Sequence, residues 1–251
     1  MVKQNLSTSN AFEKRILQLF TKQDQKSKES IDLTIFKNDF GFANNKMHDA
    51  EKCLVKFLSM TSEKVRQLFE FETKVDSICT ICGSKVLSES DWKTETVLTL
   101  RPTDSCNLWK NLSDMTVPQK RECSNEHCKN NEFSVEENVQ YRISNNLKYL
   151  FVKVNLVSDS NRMNNRVIKG FSSVQNSLKV LQENNQPFVI RTKLAAVISH
   201  TGVKMTEGHY VIYKFHDNDW YLIDDQNICC VKSSRLPNCM KDFYLLVLQR
   251  I

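Results

Sequence analysis

The run KLAAVISHTGVKMTEGHYVIYKFHDNDWYLIDD, residues 193–225, contains three apolar, β-branched and aromatic segments separated by two polar breaks. KLAAVISH (193–200), HYVIYKF (209–215) and WYLIDD (220–225) read as strands, TGVKMTEG (201–208) as a loop and HDND (216–219) as a tight turn. A turn that short makes the last two strands an antiparallel hairpin, so a residue at the start of one lies near a residue at the end of the other. His209 opens the first strand and Asp224 and Asp225 close the second. An imidazole held by a carboxylate is the base half of a nucleophilic triad. A strand-edge surface pair is the competing reading of the same residues. His200, at a strand end, and His216, in the turn, read as solvated or capping residues.

Outward from this hairpin, DFYLLVLQRI (242–251) reads as a closing strand, and KYLFVKVNLV (148–157) and TETVLTL (94–100) as earlier ones. The β-like pattern begins near Val75. Before it the periodicity is helical. Phe12, Ile16, Leu19 and Phe20 share one face of a helix over 11–25, with Ser9 or Asn10 as its cap. A polar linker, KQDQKSKES, follows. Ala50, Cys53, Leu54, Phe57 and Leu58 define a second helix starting near His48 and Asp49, which continues or restarts from Ser62 to Phe71. Helices first and an antiparallel sheet afterwards define an α+β fold.

The chain has 251 residues, 40% hydrophobic, enough for one elaborated domain, and that is the expectation for residues 1–251. Its formal charge of +6 comes from scattered lysines and arginines, which argues against a nucleic-acid partner. The opening MVKQNLSTSN lacks the apolar core of a signal peptide, and no later run has the roughly 18 apolar residues of a membrane helix. Without a secretory signal, the nine cysteines are expected as reduced thiols, which places the protein in the cytosol or nucleus.

Cys79 and Cys82 form C-T-I-C, and residues 83–122 separate them from C-S-N-E-H-C, which holds Cys123 and Cys128. A C-x-x-C turn sets two sulfurs on one side of a tetrahedral ion. A zinc site of Cys79, Cys82, Cys123 and Cys128 is expected, with His127 as an alternative to Cys128. Four protein ligands leave no open position, so the zinc would be structural.

The run from Leu194 to Gln226 resembles the His box of the ubiquitin-specific proteases, in which an H-x-G loop, G-H-Y, a Trp and a double acid follow in order. His200, Gly202, Gly208, His209, Tyr210, Trp220, Asp224 and Asp225 match it. MHDAEKCLVKFL (47–58) resembles the family's Q-x-D-A-x-E-F-L helix, CTIC with CSNEHC its zinc ribbon, KYLFVKVNL its L-x-L-x-L-K-R-F strand and DFYLLVLQR its final strand.

The resemblance implies a papain-like cysteine peptidase fold: an incomplete helical thumb over about 10–72, zinc-ribbon fingers over about 73–145 and an antiparallel palm sheet over about 146–251. It implies ubiquitin as the partner, contacted through Asp49 and Tyr210. It also makes His209 the general base, Asp224 its orienting acid and Asp225 the adjacent acid. No block like the family's G-N-T-C-Y-x-N-S precedes Met47, and the first cysteine is Cys53. Lys52 stands where the family usually has Glu. The chain is therefore expected to lack the nucleophile and to be inactive alone, as a shortened deubiquitinase or a ubiquitin- or partner-binding pseudoenzyme.

Overall fold

The computed structural model describes residues 2–24, 38–41, 48–88, 91–100, 116–119, 123, 125–128, 135–154, 175–204, 207–232 and 243–251. Cys106 and Cys239 lie outside them, as do residues 25–30 of the linker and 155–157 of the 148–157 run; the linker's first three residues, Lys22, Gln23 and Asp24, are helical instead.

Helix α1 spans Ala11–Asp24. Of the two expected caps it uses Asn10, whose side-chain oxygen accepts from the amides of Phe12 and Glu13 at 3.0 Å each. Helix α2 is Ala50–Ser59, capped by Asp49, and a separate short helix α3, Glu63–Arg66, follows it. The second helical stretch thus restarts rather than continues. The chain is already extended at Phe71, four residues before the sequence pattern changes.

Thirteen strands are formed among the described residues. They are β1 Phe71–Cys79, β2 Lys85–Ser88, β3 Lys93–Glu95, β4 Val97–Leu100, β5 Thr116–Gln119, β6 Val135–Ile143 and β7 Tyr149–Val154. The remaining six are β8 Gln175–Gln182, β9 Pro187–Lys204, β10 Glu207–His216, β11 Asp219–Asp224, β12 Asn227–Val231 and β13 Phe243–Arg250. The main path through the sheet is β12-β11-β10-β9-β8-β6-β1-β2.

The spine is β9, whose 18 residues pair with β8 at one end, with β10 at the other, and with β13 along the opposite edge. Pairing is antiparallel except for β4 with β7 and β6 with β8, so the sheet is mixed rather than wholly antiparallel as the hairpin pattern suggested. Parallel neighbours are joined through distant segments, and local alternation carries no mark of them.

The palm core is built from Val197, Val211, Tyr213, Trp220, Leu246 and Leu248 with their neighbours. A second cluster seats α2 and α3 on β7 and β13, with Leu58, Val65, Leu68 and Phe69 against Phe151, Tyr244 and Leu245. Phe69 stacks on Tyr149 and Phe151 at 5.6 and 5.4 Å. The helical layer is thereby locked to the sheet beside the start of β10, where His209 stands. Among the described residues no helix is long and apolar enough to cross a membrane.

Candidate functional site

The hairpin between β10 and β11 closes through Asp217 and Asn218, both at positive φ (48° and 69°), the backbone that a two-residue turn following the sheet twist requires. Its register pairs Ile212 with Ile223. One step further puts Asp224 opposite Val211, two residues from His209 and on the same sheet face. Nε2 of His209 and Oδ1 of Asp224 lie 2.6 Å apart. A carboxylate accepts only, so Nε2 carries the shared proton and Nδ1 of the neutral ring is the basic nitrogen.

Both side chains are nearly half exposed, 44% and 43%, which leaves the ring open to an approaching group. Asp225 stands in the tight turn to β12 at φ 50°, and its carboxylate joins the same group within 4.8 Å. The His209 pKa is raised, chiefly by its hydrogen bond to Asp224, with the charges of Asp225 and Asp224 adding and burial opposing.

The surroundings of this pair are built from residues far apart in sequence. Oδ1 of Asp49 accepts from the amides of Glu51 and Lys52, and Oδ2 accepts from the Tyr244 hydroxyl at 2.7 Å. The Asp49 carboxylate therefore ties the start of α2 to the final strand. Lys153 pairs with Glu51 at the same junction. Tyr210 lies between the rings of His200 and Tyr244, with centroids at 4.8 and 5.9 Å, and burial followed by the Asp49 charge pushes its hydroxyl up to about 12. Tyr244 was not singled out by sequence reasoning. It is 195 residues from its partner, and only the pairing of β13 with β7 and β9 brings the two together.

His200 corrects its sequence reading. Rather than a solvated or capping residue it is fully buried, 0% exposed, within β9 and opposite Tyr210. His216 is 63% exposed, in keeping with its place beside the turn.

No thiol belongs to the group formed by His209, Asp224 and Asp225 among the described residues. Cys53, on α2, is half-buried, and burial and then the Asp49 charge raise its pKa, the opposite of an activated nucleophile. Cys229 and Cys230 are exposed on β12.

At the far end of the sheet, Cys79, Cys82, Cys123 and Cys128 converge, with all four sulfurs within 4.8 Å of one another. The amide of Gly83 donates to the Cys79 carbonyl and that of Cys79 to the Ser84 carbonyl, both at 2.9 Å, which folds C-T-I-C into a closed turn. Gly83 supplies the positive φ of 70° that this turn needs. Cys79 and Cys128 are 3.9 Å apart and Cys82 and Cys123 3.8 Å.

A tetrahedron of thiolates at the usual zinc–sulfur length of about 2.3 Å has edges of about 3.8 Å, so the four residues fit the ion. His127 is exposed and outside the group, which removes it as the alternative to Cys128. Ser84 hydrogen bonds pull the Cys82 thiol down to about 6, whereas burial and the neighbouring thiols push Cys128 up to about 12. So close a set cannot ionise fully without a cation among the sulfurs.

The His209–Asp224 pair and the four-cysteine cluster thus lie towards opposite ends of one mixed sheet. The family model described as ubiquitin carboxyl-terminal hydrolase matches residues 2–247, and the chain belongs to that family. Among solved structures it is similar to a SAGA DUB module of Ubp8, Sgf11, Sus1 and Sgf73 bound to monoubiquitin, with TM-score 0.64, 15% identity and coverage of 86% of this chain and 51% of that one. A further module of Ubp8, Sgf11, Sus1 and Sgf73 gives TM-score 0.67 at 14% identity, covering 99% of this chain and 61% of that one. A yeast SAGA DUB module gives TM-score 0.55 at 15% identity, over 82% and 46%. At such identities the likeness is one of fold. The chain spans about half the length of these relatives. No curated protein matches the sequence.

Proposed function

We propose that this chain is a single deubiquitinase-type domain that acts on ubiquitin C-terminal isopeptide bonds by thiol-dependent hydrolysis, to which it contributes the base and the orienting acid. Nδ1 of His209 takes the proton of a thiol, and Asp224 stabilises the imidazolium. The thiolate attacks the isopeptide carbonyl, and the imidazolium protonates the leaving lysine amine. Water then hydrolyses the thioester with His209 again as base. The observation that carries this reading is the 2.6 Å contact of Nε2 with Asp224, which leaves the other ring nitrogen free to act.

Ubiquitin is the proposed partner, with Asp49 and Tyr210 beside His209 as contacts, and the cytosol or nucleus the proposed compartment. Zinc, held by Cys79, Cys82, Cys123 and Cys128, supplies no chemistry here and stiffens the fingers. The second reading, a pseudoenzyme that binds ubiquitin or another partner, is favoured by one observation: the group at His209 contains no thiol among the described residues.

Triad members act as a unit, so loss of one commonly costs about 10⁴–10⁶ in rate. The chain alone is expected to bind ubiquitin without cleaving a fluorogenic ubiquitin substrate. Adding a segment that carries the family's Cys block, fused or in trans, separates the two readings. Restored turnover that is lost again in His209→Ala supports the hydrolase, and binding with no restoration supports the pseudoenzyme. Absence of ubiquitin binding would overturn the hydrolase and leave of the second reading only a pseudoenzyme for another partner.

A further inference from the structure

The backbone around His209 is irregular at one point. The β9–β10 ladder pairs Glu207 with Lys204 and His209 with Thr201, so β9 spends three steps where β10 spends two, and the register shifts by one residue immediately before His209. Such shifts re-aim a side chain near functional sites. Position 208 is glycine, and both its positive φ of 155° and its packing explain why. A Cβ there would stand 2.4 Å from the Thr201 carbonyl oxygen and 2.6 and 2.8 Å from Nε2 and Cε1 of His200. The His200 imidazole, wholly buried, fills the space a side chain at 208 would take. It also packs against the Tyr210 ring, at 4.8 Å. The Thr201 hydroxyl donates to the His209 carbonyl at 3.1 Å. One buried ring therefore grips the residues on both sides of His209, and the residue next to it in β9 holds the His209 carbonyl.

We propose that His200 is a positioning residue for His209: wedged between Gly208 and Tyr210, it fixes the shifted register that aims the His209 ring at Asp224. The inference rests on the reading of His209 and Asp224 as a working base and its acid. Among the described residues His200 is not a member of the group formed by His209, Asp224 and Asp225; it acts through the backbone. Without the wedge, residues 208–210 gain freedom to relax toward regular pairing. The His209 ring then turns off the face that Asp224 shares.

The test is a long-range nitrogen–proton titration of the histidine side chains in the full chain by NMR, which reads the His209 midpoint in the folded state and is indifferent to overall stability. Asp224 and Asp225 are the charged groups that set this midpoint. Asp224→Asn should lower it toward the ordinary histidine value of about 6.5. His200→Ala should lower it most of the way to the Asp224→Asn value, and His200→Phe, which restores a ring to the wedge, should bring it back. If Asp224→Asn shifts the midpoint while His200→Ala leaves it unchanged, the positioning role is overturned and the dyad stands. If Asp224→Asn itself has no effect, the dyad reading falls and the proposal with it. Should His200→Ala fail to fold, His200→Val, which removes most of the ring but keeps an apolar filler, decides, with a lowered midpoint supporting the role and an unchanged one refuting it.

Discussion

Replacing Cys82 by serine tests the zinc site where the structure makes it most consequential. Strand β1 runs from Phe71, 3% exposed in the palm core, to Cys79, 1% exposed in the knuckle, and most residues between are only half-buried. Among the described residues the buried cluster at the knuckle consists of Cys79, Cys123 and Cys128. Three buried thiol side chains, at about 0.8 kcal/mol per methylene-sized group, contribute only about 2–5 kcal/mol. A structural zinc in small fingers is worth about 10–16 kcal/mol. A zinc held there would therefore be the dominant anchor at that end. The unmodified protein should carry about one zinc per chain, and Cys82→Ser should lose it on dialysis against a chelator. Hydrogen exchange should then speed up in β1, β2 and the finger half of β6, while β9, β10 and β13 keep their protection, because their core does not include the knuckle. Elemental analysis with exchange mapping reads both effects. Freshly purified, reduced protein without metal, or a Cys82→Ser variant that keeps stoichiometric zinc with undisturbed fingers, would refute the reasoning.

Two further outcomes follow from charges already placed. The folded-state pKa of His209 is raised by Asp224, so the stabilisation it brings is fully present below the unfolded value of about 6.5 and is lost as pH rises through the folded value. Asp224→Asn should thus destabilise the protein in mildly acidic buffer and little in alkaline buffer. With both groups nearly half exposed the difference should stay below about 1 kcal/mol, measured by urea unfolding across pH. Glu13, wholly buried, accepts from the amides of Ser62 and Ser7; burial raises its pKa, but those hydrogen bonds outweigh it and the net shift is downward. Its contribution is present above the unfolded value of about 4.3 and lost as pH falls through the folded one. Glu13→Gln should therefore cost about 1–3 kcal/mol at neutral pH, with the gap from the unmodified protein closing in acid.

The contrast between His209 and His200 marks how far sequence reading reaches in this chain. The hairpin of β10 and β11 is local: four polar residues, an alternating pattern on each side and a one-step extension of its register bring His209 to Asp224. The C-x-x-C turn is equally local, since Gly83 and the amides of residues 79 and 83 shape it within five residues. His200 shares its stretch with His209, yet its burial depends on what covers it. Tyr210 lies over it, Tyr244 lies beyond Tyr210, and β13, which carries Tyr244, enters the sheet only at the end of the chain. A strand-end histidine followed by a loop reads as solvated because the pattern shows the loop and not the ladder, and in the fold β9 runs on four residues past His200 to Lys204.

The same limit hid the parallel pairs and the Tyr244–Asp49 bond, whose partners are set by sheet order rather than by neighbours in sequence. Groups carried by adjacent strands were legible, and groups assembled across the sheet were not. His200 lies on the strand adjacent to His209, but its burial, which depends on β13, belongs to the second kind. Only the positions of Thr201, Gly208 and Tyr210 around its ring reveal that a buried histidine abuts the residues holding the candidate base, and altering that ring separates a wedge from mere filler.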